Sequence, residues 1–394
     1  MNKSASFLLT TALGVGLLSA GTWRAEAQYV QTNLVSDLSG LATITDPLLR
    51  NPWGISHSAT SPFWTSNQGS NTSTLYAVTG STDVTKVTAV NANGFVAIPT
   101  TPIGGPPQGP QGPTGQVNNT NTASFQLTPG DTSTSARFIF ANLNGTISAW
   151  AGGLAASIQV TTPNAVYTGL AINQAQTQLY AAKAGGIDVF GASFQPVTLG
   201  AGAFANPFAG LVPFNVQNIN GNLYVTYAPD GLAAQRNAAL GQGAVAVFDA
   251  SGNLIQTLIA PGGSALAAPW GITLAPDSFG QFGGDLLVGN FSFLNSGINA
   301  FDPITGMFEG SIPIDVGSRN TPGGLWALSF GTGGSNGSPD TLYFTDGING
   351  EVNGLFGALS VPAPIAGAGL PGLLLASLAW LGWRRREHTK LAGK

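Results

Sequence analysis

The 394-residue sequence contains no cysteine, two methionines, two histidines and few charged residues. The absence of cysteine excludes disulfides, thiol catalysis and cysteine-ligated zinc or iron–sulfur sites. Only 8% of residues are charged, too few for the solvent-facing sides of a mainly helical protein. Glycine (55) and proline (25) are abundant, and 43% of the residues are apolar. The chain can therefore bury a core, and an all-β fold with many turns is predicted.

Positive charge is scarce in the body of the chain. From Gln28 to Ser360 there are six Lys and Arg residues and fifteen Asp and Glu residues, which gives a net charge of −9. Binding to a nucleic-acid backbone requires clustered Lys and Arg side chains. Nucleic acid is therefore not an expected partner.

The first 27 residues have the pattern of a signal peptide. Lys3 precedes an apolar stretch over residues 7–18, and Ala25 and Ala27 occupy the −3 and −1 positions of a cleavage site. A buried first helix is the alternative, but the stretch is rich in glycine. Export would place the body of the protein outside the cytoplasmic membrane.

Residues 361–394 form a predicted sorting and membrane-spanning tail. The uncharged run over residues 365–383 is long enough to cross a bilayer, and the arginines after it would hold its end on the cytoplasmic side. The residues of the signal are Val361, Pro362, Ala363, Pro364, Arg384, Arg385 and Arg386. They resemble the PEP-CTERM sorting signal, which implies an exosortase-type processing enzyme as a partner. Ala363 stands where that signal usually has glutamate, and a plain single-span anchor is the alternative.

Residues 28–360 repeat a unit of four short strands. Each unit opens with an apolar strand, most clearly at the corners 52–55 and 269–272. Inner strands are predicted at 53–58, 124–128, 168–173, 209–214, 270–275 and 325–330. Four-stranded units repeated around an axis predict a six-bladed β-propeller, or a seven-bladed one if residues 80–123 contain part of another blade.

The outermost strands decide how the ring closes. They are predicted at 84–90, 157–161, 195–199, 254–259 and 307–312, one fewer than the number of inner strands. The missing strand is expected at residues 29–35, which would pair with the last blade and remove an open edge. The proline-rich stretch 105–113 is expected to be an extended surface loop.

Several segments resemble a family of exported bacterial NHL-like β-propeller proteins, whose members often carry PEP-CTERM tails. The segments are QTNLVSD at 31–37, NPWGI at 51–55, SPFW at 61–64, STLY at 73–76 and GLFG at 354–357. The resemblance implies a propeller fold and export, and it implies no activity.

Catalytic residues are not predicted. The predicted inner strands contain no Asp or Glu, whereas calcium takes six to eight oxygen ligands, and their notable polar residues are His57, Asn173 and Asn215. No Gly-x-Ser-x-Gly elbow precedes a helix. The alternative function is a Ca²⁺-assisted lactonase or esterase whose metal ligands come from loops. Those ligands would include Asp37, Asp46 and Asp346.

One end of the ring is the predicted binding face. Turns between second and third strands open there beside the inner-strand corners, which brings neutral amides close to tryptophans. Such groups suit a sugar or an extended peptide, although asparagine and glycine also serve turns. The candidate ligand-binding residues are Trp53, Asn67, Asn142, Trp270, Asn290, Trp326 and Asp346.

The sequence therefore predicts an exported, envelope-associated propeller that is a non-catalytic binding or scaffold module. Its expected partner is an extracellular polysaccharide or a protein, and its expected membrane contact is the C-terminal helix. No cofactor is predicted, apart from Ca²⁺ under the hydrolase alternative. A structural matrix component without a discrete ligand is a third hypothesis.

Overall fold

Short strands separated by glycine, asparagine and aspartate turns dominate the computed structural model, which describes residues 29–100 and 111–362. Two strands precede the first blade, β1 Val30–Ser36 and β2 Ile44–Thr45. The predicted signal peptide, with Ala25 and Ala27, lies outside the described residues. So does the predicted tail from Ala363 to Lys394.

Six sheets follow one another around the ring, and within each the successive strands of the blade form an antiparallel meander. Blade 1 consists of β3 Pro52–Ser56, β4 Phe63–Asn67, β5 Thr72–Thr79, β6 Asp83–Lys86 and β7 Val96–Ala97. The exceptions to the meander are β7, which pairs with β5, and β2, which pairs parallel with β1. Blade 2 consists of β8 Pro113–Asn118, β9 Phe138–Asn142, β10 Thr146–Trp150 and β11 Ser157–Thr161. Blade 3 consists of β12 Gly169–Ile172, β13 Gln178–Lys183 and β14 Gly186–Gly191.

The second half of the ring continues the pattern. Blade 4 consists of β15 Leu211–Ile219, β16 Asn222–Pro229, β17 Ala244–Phe248 and β18 Leu254–Ile259. Blade 5 consists of β19 Pro269–Leu274, β20 Leu286–Asn290, β21 Gly297–Phe301 and β22 Phe308–Ile312. Blade 6 consists of β23 Leu325–Phe330, β24 Thr341–Asp346 and β25 Leu355–Ser360, and β1 and β2 complete its sheet.

Helices are short in the described part of the chain. The helix α1 Leu232–Arg236 lies between β16 and β17, and α2 Ile348–Glu351 lies between β24 and β25. Both therefore belong to loops that join second to third strands. Single 3₁₀ turns cover Gln68–Ser70, Thr132–Thr134 and Gly280–Phe282.

The innermost strands β3, β8, β12, β15, β19 and β23 form the hub of the ring. Each contacts the next, and β23 returns to β3. Six apolar clusters each join two consecutive blades, and a seventh fills the hub. For example, Trp64 of blade 1 stacks on Phe138 of blade 2 with 3.9 Å between ring centroids. The predicted six-bladed propeller is confirmed, and the described residues contain no seventh blade.

The N-terminal strand closes the ring. β1 pairs antiparallel with β25, from Val30 opposite Ser360 to Ser36 opposite Leu355. Leu34 and Val35 are fully buried in the cluster between blades 6 and 1. The predicted closure of the last blade by residues 29–35 is confirmed.

The predicted inner strand of blade 2, at 124–128, is wrong. The strand lies at Pro113–Asn118, so the end of the supposed 105–113 loop opens a strand, where proline is tolerated at the first position. Residues 124–128 are instead part of a loop in which Phe125 adopts a left-handed backbone, φ 55°. This loop buries Phe125 against Phe194, with 5.1 Å between centroids.

The predicted outer strand at 195–199 is also wrong, and the sheet of blade 3 has three strands. A single bridge joins Phe190 of β14 to Pro196. Two backbone hydrogen bonds flank this bridge, from the N–H of Gly191 to the carbonyl of Gln195 and from the N–H of Val197 to the carbonyl of Val189. The segment therefore pairs with β14 at this one position and does not form a strand.

Candidate functional site

The tryptophan face is the end of the ring at which the six inner strands begin. In five blades the first residue of the inner strand pairs with the last residue of the second strand. In blade 4 the pair is Leu211 with Pro229, and in the other four the second-strand residue is Asn or Asp: Pro52 with Asn67, Pro113 with Asn142, Pro269 with Asn290 and Leu325 with Asp346. The three asparagines and Asp346 therefore occupy one repeated position. The predicted binding face corresponds to this end of the molecule.

Three of the candidate residues form a tryptophan cluster on the axis. Trp53 stacks on Trp326 with 3.5 Å between centroids and an interplanar angle of 19°. Trp270 meets both edge-on, at 6.1 and 5.7 Å. At most 3% of each side chain is exposed, so the cluster closes the axis at this end.

The asparagines of the repeated position are buried and hold turns. Asn67 donates through Nδ2 to the hydroxyl of Thr74 at 2.8 Å, and Asn142 donates to the carbonyl of Thr146 at 3.2 Å. Asn290 donates to the carbonyl of Ala265 and accepts from the N–H of Ala267. Direct contact of the seven candidate residues with a ligand stays a prediction.

Asp346 is the acidic member of the repeated position. Its side chain is fully buried, and neither carboxyl oxygen has a hydrogen-bond partner within the described ranges. Burial raises the pKa of Asp346 well above its usual value. Asp346 can therefore ionise in a buried place, a penalty that its neutral asparagine equivalents do not carry.

Replacing Asp346 with asparagine is expected to raise the free energy of unfolding at pH 7 by roughly 1–3 kcal/mol, because a neutral amide costs less to bury than an ionised carboxylate without a partner. The folded state holds the Asp346 proton more tightly than the unfolded state. The penalty is therefore absent well below the unfolded-state pKa of about 3.9 and grows as the pH rises above it. Denaturant unfolding between pH 4 and pH 8 is the measurement.

The reverse substitution, Asn290→Asp, is the matched control. It replaces the N–H group that donates to the carbonyl of Ala265 with a carboxyl oxygen, while the other oxygen can still accept from the N–H of Ala267. It should destabilise the protein more at pH 8 than at pH 4, because the ionised carboxylate is buried and faces that carbonyl. A stabilisation by Asp346→Asn that does not change with pH would contradict the assignment of the penalty to ionisation.

A cavity of about 450 Å³, the axial cavity, opens on the tryptophan face. Blades 1, 2, 3, 4 and 6 all contribute to its wall. The apolar part of the wall includes Trp53, Leu143, Val166, Phe214 and Leu232. The polar part includes Asn51, Gln68, Asp230, Gln235, Arg236 and Glu351.

An ion pair in this wall joins the loops of blades 4 and 6. Arg236, at the end of α1, donates through Nε to Glu351 Oε2 at 2.7 Å, and its Nη2 contacts the same oxygen. Asn51 donates to the other oxygen of Glu351 at 3.3 Å. Burial raises the pKa of Glu351, although Arg236 and Asn51 act in the opposite direction. The pair holds the two helical loops together beside the cavity.

His57 lies at the opposite end of the hub, directly after β3. Its Nε2 is 3.2 Å from Ser329 Oγ and 3.1 Å from the carbonyl oxygen of Phe330. Burial lowers the pKa of His57, which favours the neutral ring. The imidazole ring is thus held by a serine hydroxyl and a backbone carbonyl. It lies at the opposite end of the hub from the ion pair of Arg236 and Glu351.

The loop carboxylates proposed as calcium ligands lie in separate places. Asp46 accepts from the Tyr76 hydroxyl at 2.7 Å and pairs with Lys86 at 2.8 Å. Asp37 accepts from Asn353 and from the N–H of Gly354. Across residues 29–100 and 111–362, no group of three or more His, Asp or Glu side chains could hold a metal ion. The same residues include no helix long and apolar enough to cross a membrane.

Sequence reasoning missed most residues that form the axial cavity. It placed the turns between second and third strands on this face but did not single out Leu232 or Arg236. The available signal was charge, because Arg236 is one of six cationic residues in the body of the chain. Its partner Glu351 lies 115 residues away, and no local pattern links the two.

No protein-family model matches the chain. An uncharacterised protein of Acanthamoeba polyphaga mimivirus is 28% identical over 355 residues, which cover 86% of this chain and 82% of the viral protein. A second uncharacterised protein of the same virus is 27% identical over 251 residues, or 60% of this chain and 45% of the relative. The match thus spans less than half of that second protein.

The solved structures that align with this chain are described as different kinds of protein. Kuenenia stuttgartiensis hydrazine synthase aligns with a TM-score of 0.46 and 15% identity, covering 78% of this chain and 80% of that one. A streptogramin B lyase aligns at 0.48 and 12%, covering 85% and 97%. A Bacteroides thetaiotaomicron protein of unknown function aligns at 0.48 and 12%, covering 85% and 77%. At these values nothing about activity carries over to this chain.

Proposed function

We propose that the chain is an exported, envelope-associated binding module that acts without catalysis and engages a protein or polysaccharide partner through the axial cavity. The export part rests on the signal pattern of residues 1–27 and the sorting pattern of residues 361–394. The binding part rests on one observation, the cavity of about 450 Å³ built by five blades at the tryptophan face. This volume lies in the range of roughly 300–1,000 Å³ that is usual for ligand sites.

The wall chemistry favours a peptide segment of a protein partner. Apolar surface from Leu143, Val166 and Leu232 suits an apolar side chain, and burial of such a side chain provides most of the affinity in small sites. Arg236 and Asp230 at the same cavity can orient the charged or polar groups of the neighbouring peptide. A polysaccharide would use the same polar groups and would place the apolar face of a ring on the leucines.

A phage-displayed random peptide library, panned on the immobilised full-length chain in detergent, tests the proposal. Leu232 lines the cavity and is 46% exposed, so Leu232→Asp should weaken binding of the selected peptides without unfolding the protein. A loss of about tenfold or more is expected, the equivalent of 1.4 kcal/mol. A panel of neutral and acidic oligosaccharides, assayed for binding to the same immobilised protein, tests whether the partner is a polysaccharide.

Leu240→Asp is the matched control. Leu240 lies in the same loop between β16 and β17, is 58% exposed and is not part of the cavity wall. The control should bind like the parent. Peptide and oligosaccharide binding that is absent, or that both variants reduce equally, would refute a site in the axial cavity.

A further inference from the structure

A second cavity, of about 430 Å³, lies at the end of the hub opposite the tryptophan face. It is formed where β3, β8, β12 and β15 end, with β23 at one side. We call it the amide funnel and define it by Ser56, Gln116, Asn118, Gln217, Asn218 and Ser329. It shares no lining residue with the axial cavity, so it is a separate site.

The funnel narrows towards the centre of the molecule. A chamber of about 40 Å³ continues from it, and both are lined by Gln116, Gln217 and Ser329. Trp270 and Gly271 also line this chamber, so it reaches the base of the tryptophan cluster. Its volume exceeds the roughly 10–15 Å³ that one water-sized group needs. A hydroxyl-sized group therefore fits at the bottom of the funnel.

Two polar atoms of the funnel are buried without a partner among the described residues, Gln116 Oε1 and Ser56 Oγ. Gln116 is 6% exposed, and its amide orientation is fixed because Nε2 donates to the carbonyls of Gly54 and Trp64, both at 2.8 Å. The remaining oxygen is thus held as an acceptor. Buried polar groups in native proteins are nearly always hydrogen-bonded, so each of these two atoms can accept a hydrogen bond from a water molecule or from a ligand group.

The wall of the funnel is polar and uncharged. Eight of its residues are asparagine or glutamine, and among the described residues that line it none is Asp, Glu, Lys or Arg. His57 is the one titratable lining residue, and burial lowers its pKa. A charged ligand would lose hydration here without gaining an opposite charge. A neutral ligand is therefore favoured.

Amide side chains offer both N–H donors and carbonyl acceptors, and sugar hydroxyls likewise both donate and accept. Ile55, Val117 and Ile172 add apolar surface between the amides, against which the C–H face of a sugar ring can pack. We propose that the amide funnel binds a neutral saccharide of one or two rings, with its hydroxyls bonded to the polar side chains of the wall, Ser56 and Gln217 among them. The proposal does not depend on the function of the axial cavity.

Saturation-transfer NMR and calorimetry on the full-length chain in detergent would test it with four neutral probes: glucose, N-acetylglucosamine, maltose and cellobiose. Glucuronate and glucosamine are the charged comparisons, and a tetra-alanine peptide with blocked ends tests a main-chain ligand. At least one neutral saccharide should bind saturably and at least tenfold more tightly than the charged sugars and the peptide.

Two variants locate the binding. Ser56→Ala removes a hydroxyl that has no partner, so thermal stability should be unchanged while saccharide affinity falls at least fivefold. Gln217 is exposed, and Gln217→Ala should act in the same way. Gln195→Ala, at an exposed glutamine on the outer side of blade 3, is the matched control and should bind like the parent.

The possible outcomes separate the two sites. Leu232→Asp in the axial cavity should leave saccharide binding intact, so failure of the peptide experiment would not remove this one. The absence of saturable binding by all four neutral probes would overturn the proposal. So would tighter binding of glucuronate or of the blocked peptide, or binding that Ser56→Ala and Gln217→Ala leave unchanged.

Discussion

Replacing Gly115 with alanine is expected to lower the free energy of unfolding by more than about 4 kcal/mol, which places it among the exceptional single substitutions. Gly115 lies in β8, at the hub. A Cβ atom there would overlap the backbone nitrogen of Leu170 and lie 2.8 Å from the carbonyl carbon of Gly169. Both atoms belong to the backbone of the neighbouring inner strand, β12. The clash can therefore be relieved only by moving blade 3 away from blade 2.

The same close approach occurs elsewhere around the hub. A Cβ atom on Gly54 would lie 2.6 Å from the carbonyl oxygen of Thr114, and one on Gly271 would overlap the carbonyl oxygen of Trp326. Glycine at this position thus allows consecutive inner strands to touch through their backbones. The hub packs tightly for this reason, and the spacing of the blades depends on it.

Gly152→Ala is the matched control for Gly115→Ala. Gly152 is exposed, and a Cβ atom there would have no neighbour within 4 Å. Alanine at a compatible glycine position stabilises proteins by about 0.4–1 kcal/mol. Denaturant unfolding of the two variants should therefore shift in opposite directions. Equal midpoints for Gly115→Ala and the parent would show that the hub relaxes easily.

The repeat explains how much of the fold the sequence could predict. The inner strands predicted at 53–58, 270–275 and 325–330 lie within one or two residues of β3, β19 and β23, because each opens at a corner that carries a tryptophan. The inner strand of blade 2 was missed because its corner has threonine where blades 1 and 5 have tryptophan. The sequence PTGQ at 113–116 nevertheless shares the Pro-x-Gly spacing of PWGI at 52–55 and at 269–272. That spacing was the usable signal, because glycine is what the hub requires.

The candidate sites were less predictable, because their polar groups act across the ring. Asn67 and Asn290 look like exposed turn amides in the sequence, yet both are buried and bonded within their own blades. The amide side chains that line a cavity together lie at the other end of the hub, where β8 and β15 bring Gln116 and Gln217 to the same wall. These two residues are about a hundred positions apart in the sequence. Their proximity follows from ring closure, which local patterns do not encode.

Replacing Leu34 with aspartate is expected to open the ring. Leu34 lies in β1, is fully buried and packs in the cluster that joins blades 6 and 1. Loss of the side chain alone should cost roughly 2–5 kcal/mol, and a carboxylate placed in this apolar cluster adds a desolvation penalty. Because β1 also covers the edge of β25, its release would expose a strand edge that can pair with another chain. We expect a much lower denaturant midpoint together with concentration-dependent association on gel filtration.

Val30→Asp provides the comparison on the same strand. Val30 is 49% exposed and pairs with Ser360 at the outer end of the ladder, so its carboxylate would remain in water and β1 should stay in place. The two variants carry the same added charge on the same strand and differ in burial. If both unfold at the midpoint of the parent, closure by β1 contributes little, and the contacts between the other blades suffice to hold the ring. If only Leu34→Asp unfolds early and associates, the seal between β1 and β25 is what keeps the six-bladed ring closed and monomeric.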